Sequence, residues 1–421
     1  MKERFMKNTI FVQIASYRDP ELVPTIRDCI VKAKHPEHLR FGIAWQHSEE
    51  DVWDNLDEFK EDSRFSIIDI PYKESNGACW ARNKIQQLYN DEKYTLQLDS
   101  HHRFVQNWDV ECINMIEQLQ NDGYKKPLLT SYIPSYDPEN DPDGRVQIPW
   151  KMNFDRFIPE GAIFFIPAGI DNYKNLQSPI PGRFYSAHFA FTLGQFCKEV
   201  PHDPNYYFHG EEISIAVRAY TWGYDIFHPH KIVAWHEYTR KNRTKQWDDD
   251  KTWWEKNSKS HLRNRKLFGM DGEAQDIDFG IYGFGTKRTL QQYERYAGIN
   301  FKKRAVQQYT IENNLPPNPI YLSEEQYEKN WVSIFKYCLD IPLDQVPEND
   351  YNVWVVAFED ETGTELYRKD VLKDEIQQLK STNDPYIKIW REFNTVKKPY
   401  KYIFWPHSET KGWLDRRSVV I

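Results

Sequence analysis

The chain has 421 residues, 40% of them hydrophobic and 28% charged, with 15 Trp, 26 Tyr and 24 Phe; that length holds roughly two or three domains. Mean hydropathy is −0.79, and no apolar run approaches the ~18 residues of a membrane span, which excludes an integral membrane protein built on helices. A net charge of −8 argues against general nucleic-acid affinity, which a basic balance would accompany.

The first element is a strand predicted over Ile10 to Ile14 in "TIFVQIASYRDPELVPTIRDCIVKA", followed by a polar loop from Ser16 to Pro20 and a helix from Leu22 to Ala33. "LRFGIAWQHS" and "FSIIDIPY" read as further strands, and "NGACWARNKIQQLYN" as a helix opening after Asn76-Gly77. "YTLQLDS" is the fourth strand, and "NWDVECINMIEQLQ" carries the chain away as a helix. Strands alternating with helical patterns predict an α/β fold with a mixed, mostly parallel, Rossmann-like sheet. Ligands of such sheets bind outside the carboxyl ends of the strands.

From about 128 to 195 the chain is rich in Pro, Gly and aromatic residues and reads as a loop excursion that shapes an acceptor site. The stretch 208–243 predicts a loop, a helix on Ile213 to Tyr220, a Trp-Gly turn and a strand ending near Trp235. After about 275 the pattern changes. A helical or linker segment over 276–325 contains the break "NNLPPNPIYLS", and the remaining residues, 326–421, alternate with period two as a smaller β-rich domain. The catalytic domain is therefore expected over 1–275. Cys29, Cys79, Cys112, Cys197 and Cys338 show no CxxC or metal spacing, the pattern of reduced thiols. The opening residues hold no apolar stretch of signal-peptide length, so a cytoplasmic location is expected.

The residues that carry chemistry begin with "YTLQLDSHHRFVQNWD". Asp99 and His101 stand at i and i+2, which in extended geometry point the same way and can share one divalent cation. A capping Asp beside a satisfied His gives the same pattern. His236 follows the strand-like "KIVAW" and precedes Arg240, Lys241 and Arg243. An imidazole with guanidinium groups after it suits a metal–diphosphate site; an ordinary His in an aromatic loop is the alternative. Glu211 and Glu212 precede a helix, where carboxylates either complement the helix end or accept bonds from sugar hydroxyls. Gly77 opens the helix bearing Arg82, one turn in, whose reach to donor oxygens competes with a plain structural helix start.

In chain order, "IFVQIASYRDPELVPTI", "GACWARN", "LQLDSHHRFVQNWD", "EVPHDPNYYFHGEEISIAVRAYTWGYDIFHP" and "VAWHEYTR" resemble the polypeptide α-N-acetylglucosaminyltransferase family, over roughly the first 60% of the chain. A fainter similarity links Asp99-Ser100-His101, Phe208 to Glu212 and Val233 to His236 to the mucin-type polypeptide N-acetylgalactosaminyltransferases, from whose W-G-G-E-N the chain departs at Phe208, His209 and Glu212. The resemblance implies a GT-A fold, a UDP-sugar donor (UDP-GlcNAc expected), and Mn2+ or Mg2+ held by Asp99, His101 and His236. It further implies transfer with retention to a Ser, Thr or hydroxyproline hydroxyl of a protein. Donor contacts are expected from Ala15, Ser16, Tyr17, Arg18, Gly77, Arg82, Ser100, Glu211, Glu212, Arg240 and Arg243. Catalysis is expected to involve Asp99, His101, Glu211 and Arg240, with no catalytic base assigned. Glycan, small-molecule or modified nucleic-acid acceptors keep the same chemistry, and a lectin-like protein on an inactive scaffold is the reading from another class. The C-terminal domain resembles no family and leaves a homo-oligomer through it open.

Overall fold

The computed structural model describes residues 8–53, 55–158, 160–239, 243–273, 276–320, 323–329, 331–382 and 384–421. Two compact units divide the chain. One runs to Lys302 and takes in Tyr309–Ile320; the other holds Lys303–Gln308 and the chain after Ile320.

In the first unit, β1 (Ile10–Tyr17), β2 (Leu39–His47), β3 (Phe65–Pro71) and β4 (Tyr94–Asp99) pair in parallel. Ile10, Val12 and Ile14 face α1 (Leu22–Lys32) and α3 (Trp108–Asn121) in one buried layer, with Ile26, Cys112 and Ile116. Phe11 points the other way, onto Ala81 and Ile85 of α2 (Ala78–Gln86). Both faces are covered, so the strands read as continuous apolar runs. β1 extends past the expected end at Ile14 because Ser16 and Tyr17 pair with Trp45 and Gln46; the polar loop is shorter than its composition suggests.

The stretch 128–195 departs from the expected loop. β6 (Pro127–Thr130) lies in the main sheet; β7 (Trp150–Phe157) and β8 (Ile163–Gly169) form a separate antiparallel hairpin with a register shift between Phe154 and Arg156. After β9 (Ile180–Pro181), β10 (Phe189–Leu193) enters the main sheet antiparallel between β4 and β6. With β11 (Asp225–His228), the order is β3-β2-β1-β4-β10-β6-β11-β9. Two short strands, β5 (His102–Phe104) and β12 (Ala234–His236), form their own antiparallel ribbon beyond the end of β4. The helix expected on Ile213 to Tyr220 is α4, Glu211–Thr221, entered through Gly210 at φ +95°. A longer helix, α5, covers Trp253–Phe268.

The second unit is β-rich. Trp331–Pro342 pairs antiparallel with Tyr386–Thr395, whose residues alternate strictly between exposed and buried. Tyr351–Glu359 pairs with Lys401–Ser408, and Leu339, Trp354, Phe358, Ile389 and Phe404 fill the core between them. One helix, Lys373–Lys380, adds Ile376 to that core. No helix among the described residues is long and apolar enough to cross a membrane, and all five cysteines are free thiols.

Candidate active site

β4 ends at Asp99, the chain bends at Ser100, and β5 begins at His102. Asp99 and His101 therefore converge through a bend rather than through the pleat of one strand. The β5/β12 ribbon supplies the third group: His236 Nε2 lies 3.5 Å from Asp99 Oδ2, and His101 Nε2 lies 3.8 Å from the same oxygen. All three ligand atoms fall within 4.8 Å of one another. The last residues of "KIVAW", Ala234 and Trp235, pair with Phe104 and Arg103, just past the end of β4.

Asp19, which sequence reasoning passed over as a turn residue, organises the cluster from the end of β1. Its Oδ2 accepts Ser100 Oγ–H at 2.7 Å, His101 Nδ1–H at 2.8 Å and Arg243 Nη1–H at 2.9 Å. Arg243 Nη1 also abuts His101 Nδ1. A guanidinium cannot accept, so the proton on Nδ1 points to the Asp19 carboxylate. Burial pushes the Asp19 carboxyl up, but the neighbouring His101 and Arg243 outweigh it and hold it below the usual range. Arg243 Nη2 stands 3.4 Å from Glu237.

Burial also acts on Asp99, and is again outweighed: His236 and the Arg82 guanidinium keep its carboxyl well below the ordinary value. Arg82 Nη2–H donates to Asp99 Oδ1 at 2.7 Å, with its side chain 5% exposed. The same guanidinium is 3.8 Å from Glu211. Committed to Asp99, Arg82 compensates Glu211 poorly; burial, helped by the adjacent Glu212, drives the Glu211 carboxyl up. Glu212 is raised by burial too, although its oxygens accept Ala187 N–H at 2.9 Å and Tyr132 O–H at 3.0 Å. Burial lowers His102, His188 and His236 well below the usual imidazole value, so all three are neutral near pH 7.

A cavity of about 140 Å³ opens on this cluster. Ala15, Tyr17 and Asp19 line it from the end of β1, and Gly77, Ala78 and Arg82 from the start of α2. Asp99, Ser100, His101 and His236 form its polar end, beside Arg243 and Lys245. Tyr207, Phe208 and Trp247 supply the aromatic wall; Phe208 and Trp247 meet edge to face with centroids 5.6 Å apart. Of the expected donor contacts, Ser16, Arg18, Glu211 and Glu212 lie outside the lining. Arg18 grips Asp51 through two hydrogen bonds of 2.7 and 3.0 Å and reaches Asp249 at 3.1 Å, while Tyr17 O–H donates to the same Asp249 oxygen at 2.7 Å. Arg240 falls outside the described residues. At the α2 start, Ala78 N–H already donates to Tyr207 O at 3.2 Å. Gly77 has φ +104°, and a Cβ there would sit 2.6 Å from that carbonyl.

The residues of the cluster suit a divalent cation. His236 is buried, it is a neutral imidazole as ligation requires, and its Nε2 faces a carboxylate held ionised. Its separation of 3.5 Å from Asp99 Oδ2 is near the ~3 Å between adjacent ligands of an octahedral ion with bonds of about 2.1 Å.

The family model for glycosyltransferase (GlcNAc) matches residues 9–63 and 53–303, well over half the chain and all of the elements that build this cluster. The chain belongs to this glycosyltransferase family. No curated relative matches the sequence. Among solved structures it is similar to GalNAc-T7 with UDP, GalNAc and Mn2+, at 13% identity and a TM-score of 0.46 over 68% of this chain. That match spans 54% of the length of GalNAc-T7. It is also similar to residues 1–349 of S. aureus TarS in complex with UDP-GlcNAc, at 11% identity and a TM-score of 0.39, covering 63% of this chain and 68% of that one. A mannosyltransferase from Pyrobaculum calidifontis with GDP-Man and Mn2+ gives 11% identity and a TM-score of 0.36, covering 57% and 64%.

Proposed function

We propose that this glycosyltransferase moves N-acetylglucosamine from UDP-GlcNAc to a Ser, Thr or hydroxyproline hydroxyl of a protein, with retention at the anomeric carbon. The observation that carries the reading is the gathering of Asp99, His101 and His236 at the carboxyl end of β4, on a cavity with a guanidinium beside it. Asp99, His101 and His236 would hold Mn2+ or Mg2+, which when bound neutralises charge on a diphosphate leaving group.

The chain's own residues do the rest. Asp19 fixes the His101 tautomer and holds Arg243 at the cavity wall, where its charge complements phosphate oxygens. Arg82 balances Asp99, so the pocket floor is not a bare acidic cluster. Tyr207, Phe208 and Trp247 offer an apolar surface for a base or sugar face and exclude water from it. No base is assigned, because in a front-face retaining transfer the leaving phosphate oxygen takes the acceptor proton. Glu211 beneath Arg82, its carboxyl raised by burial, is a candidate for sugar recognition rather than proton abstraction.

Incubation with UDP-GlcNAc, Mn2+ and a panel of hydroxyl-bearing peptides and glycans tests the reading, following UDP release and the anomeric configuration of product. Peptide-dependent UDP release with an α-linked product is expected. Turnover only on glycans would replace the acceptor, and binding without UDP release would leave a lectin.

A further inference from the structure

A second group of side chains able to ligate a metal lies away from the cavity, on the connection between α1 and β2. His35-Pro36-Glu37-His38 folds as one 3-10 turn, Pro36–His38, closed by His38 N–H on His35 O at 3.0 Å. Residues three apart eclipse in such a turn. The two imidazoles accordingly stack, with ring centroids 5.2 Å apart and planes at 24°. Glu37 joins them: its Oε1 lies 3.3 Å from His35 Nδ1 and 3.8 Å from His38 Nε2. One ligand atom from each of the three residues falls within 4.8 Å of the others.

The backbone beneath these side chains is tied down. Asp109 of α3, 2% exposed, accepts Lys34 N–H at 2.7 Å and His35 N–H at 2.9 Å, one on each oxygen. Arg64 Nη1–H donates to Pro36 O and Arg40 Nη1–H to Glu37 O, each at 2.9 Å. Pro36 fixes its own φ. Both guanidinium groups thus bond carbonyls of the turn, and Arg64 is balanced by Asp62 at 2.6 Å. Among the described residues, the ion pairs of Glu37 are with the two imidazoles.

The spacing favours an ion over direct hydrogen bonds. At 3.8 Å His38 Nε2 is beyond hydrogen-bond reach of the carboxylate, and 3.3 Å is long for His35. A tetrahedral ion with bonds of about 2.0–2.1 Å holds its ligand atoms roughly 3.3–3.4 Å apart. The His35–Glu37 separation matches that edge, and the exposed His38 side chain has to close by only about half an ångström. Two imidazoles and a carboxylate suit Zn2+, whereas Mn2+ stands lowest in affinity for such N/O sites.

We propose that His35, Glu37 and His38 form a second metal site, one that takes Zn2+ with solvent in the fourth position. It lies at the opposite end of the sheet from the cavity. Ile10 pairs with both Leu39 and Tyr94, so Asp99, five residues beyond Tyr94, is about 16 Å further along the strands. That distance separates the site from the transfer chemistry; Zn2+ bound there stabilises the fold by mass action. The inference does not depend on the proposed function.

Zn2+ titration by calorimetry tests it on Asp99→Ala, which disables the buried cluster, with and without His35→Ala and His38→Ala. One Zn2+ per chain is expected in Asp99→Ala, weakened at least about tenfold by either further substitution and lost with both. Zn2+ is expected to raise the melting temperature of Asp99→Ala and not that of the triple variant. A crystal soaked in Zn2+ is expected to show an anomalous peak between the three side chains. The His35→Ala/His38→Ala protein, with Asp99 intact, is expected to keep its Mn2+-dependent UDP release. No Zn2+ bound by Asp99→Ala, or equal Zn2+ affinity with and without the two histidines, would overturn the proposal. If Asp99→Ala does not fold, wild type against His35→Ala/His38→Ala decides it: the Zn2+ bound falls by one ion per chain, and an unchanged stoichiometry overturns the site.

Discussion

Replacing Arg82 by Met removes the only cation within 4 Å that the described residues supply to Asp99 besides the imidazoles. The guanidinium is 5% exposed and Asp99 27% exposed, and the contact is 2.7 Å. At an effective dielectric constant of about 20, two charges 4 Å apart interact by about 4 kcal/mol. Breaking a buried pair from one side costs about 3–5 kcal/mol, because the remaining charge keeps its desolvation penalty. The partial exposure of Asp99 puts the expected loss at the lower end, about 3 kcal/mol. Urea denaturation of wild type, Arg82→Met, Asp99→Asn and the double variant measures it as a cycle. A coupling of about 2–3 kcal/mol is expected, with a smaller loss for Arg82→Met at pH 5, where a freed carboxyl protonates. A coupling below about 0.5 kcal/mol at pH 7.5 would mean that water, not Arg82, compensates Asp99.

Glu211 and Glu212 have carboxyls raised above their ordinary value of 4.5 by burial, so between pH 4.5 and neutrality the folded state holds more protons than the unfolded one, and stability falls as pH rises. Glu212→Gln is expected to flatten that fall in melting temperature between pH 5 and 8; a slope equal to wild type would show that the pair is already ionised. Gly77→Ala meets both a left-handed φ of +104° and the Tyr207 carbonyl at 2.6 Å, and is expected to cost at least about 2 kcal/mol by chemical denaturation; a neutral result would mean that the 207 loop moves freely. The catalytic unit is proposed to end after Ile320, not at 275. Arg183, 7% exposed, donates to Asn314 O at 2.6 Å and Asn318 Oδ1 at 2.7 Å. A fragment ending at Ile320 is therefore expected to melt cooperatively and one ending at Gln308 to lose about 2–3 kcal/mol, because the buried guanidinium keeps its bond to Ala297 O and loses the other two; equal stabilities would remove the argument.

Local pattern made much of the frame legible. The apolar runs of β1, β2 and β4 and the helical spacing of α1 and α3 are set by burial on both sheet faces, which leaves a plain mark on composition. Asp99 and His101 were visible because a strand end is where this architecture places polar groups. Their pairing with His236, 135 positions after His101, is decided by the β5/β12 ribbon, a long-range register that no window can see. Asp19 was disguised by its neighbours: an Arg-Asp-Pro after a strand reads as a turn, and only the folded chain shows three donors converging on one of its oxygens. The β7/β8 hairpin escaped because Pro, Gly and aromatic residues dominate its surroundings. The turn-rich flanks outweighed the strand character of "WKMNFDRF" and "IFFIPAG".

The central claim is that Asp99, His101 and His236 hold the cation that anchors the nucleotide diphosphate. Calorimetric titration of Mn2+ into wild type, Asp99→Ala and His236→Ala, each with saturating UDP, tests it directly. The account predicts one Mn2+ per chain in wild type, an affinity reduced at least about tenfold in His236→Ala, and no measurable binding in Asp99→Ala, with all three proteins folded by circular dichroism. Undiminished Mn2+ binding in Asp99→Ala, or UDP binding in wild type that excess chelator leaves unchanged, would contradict it.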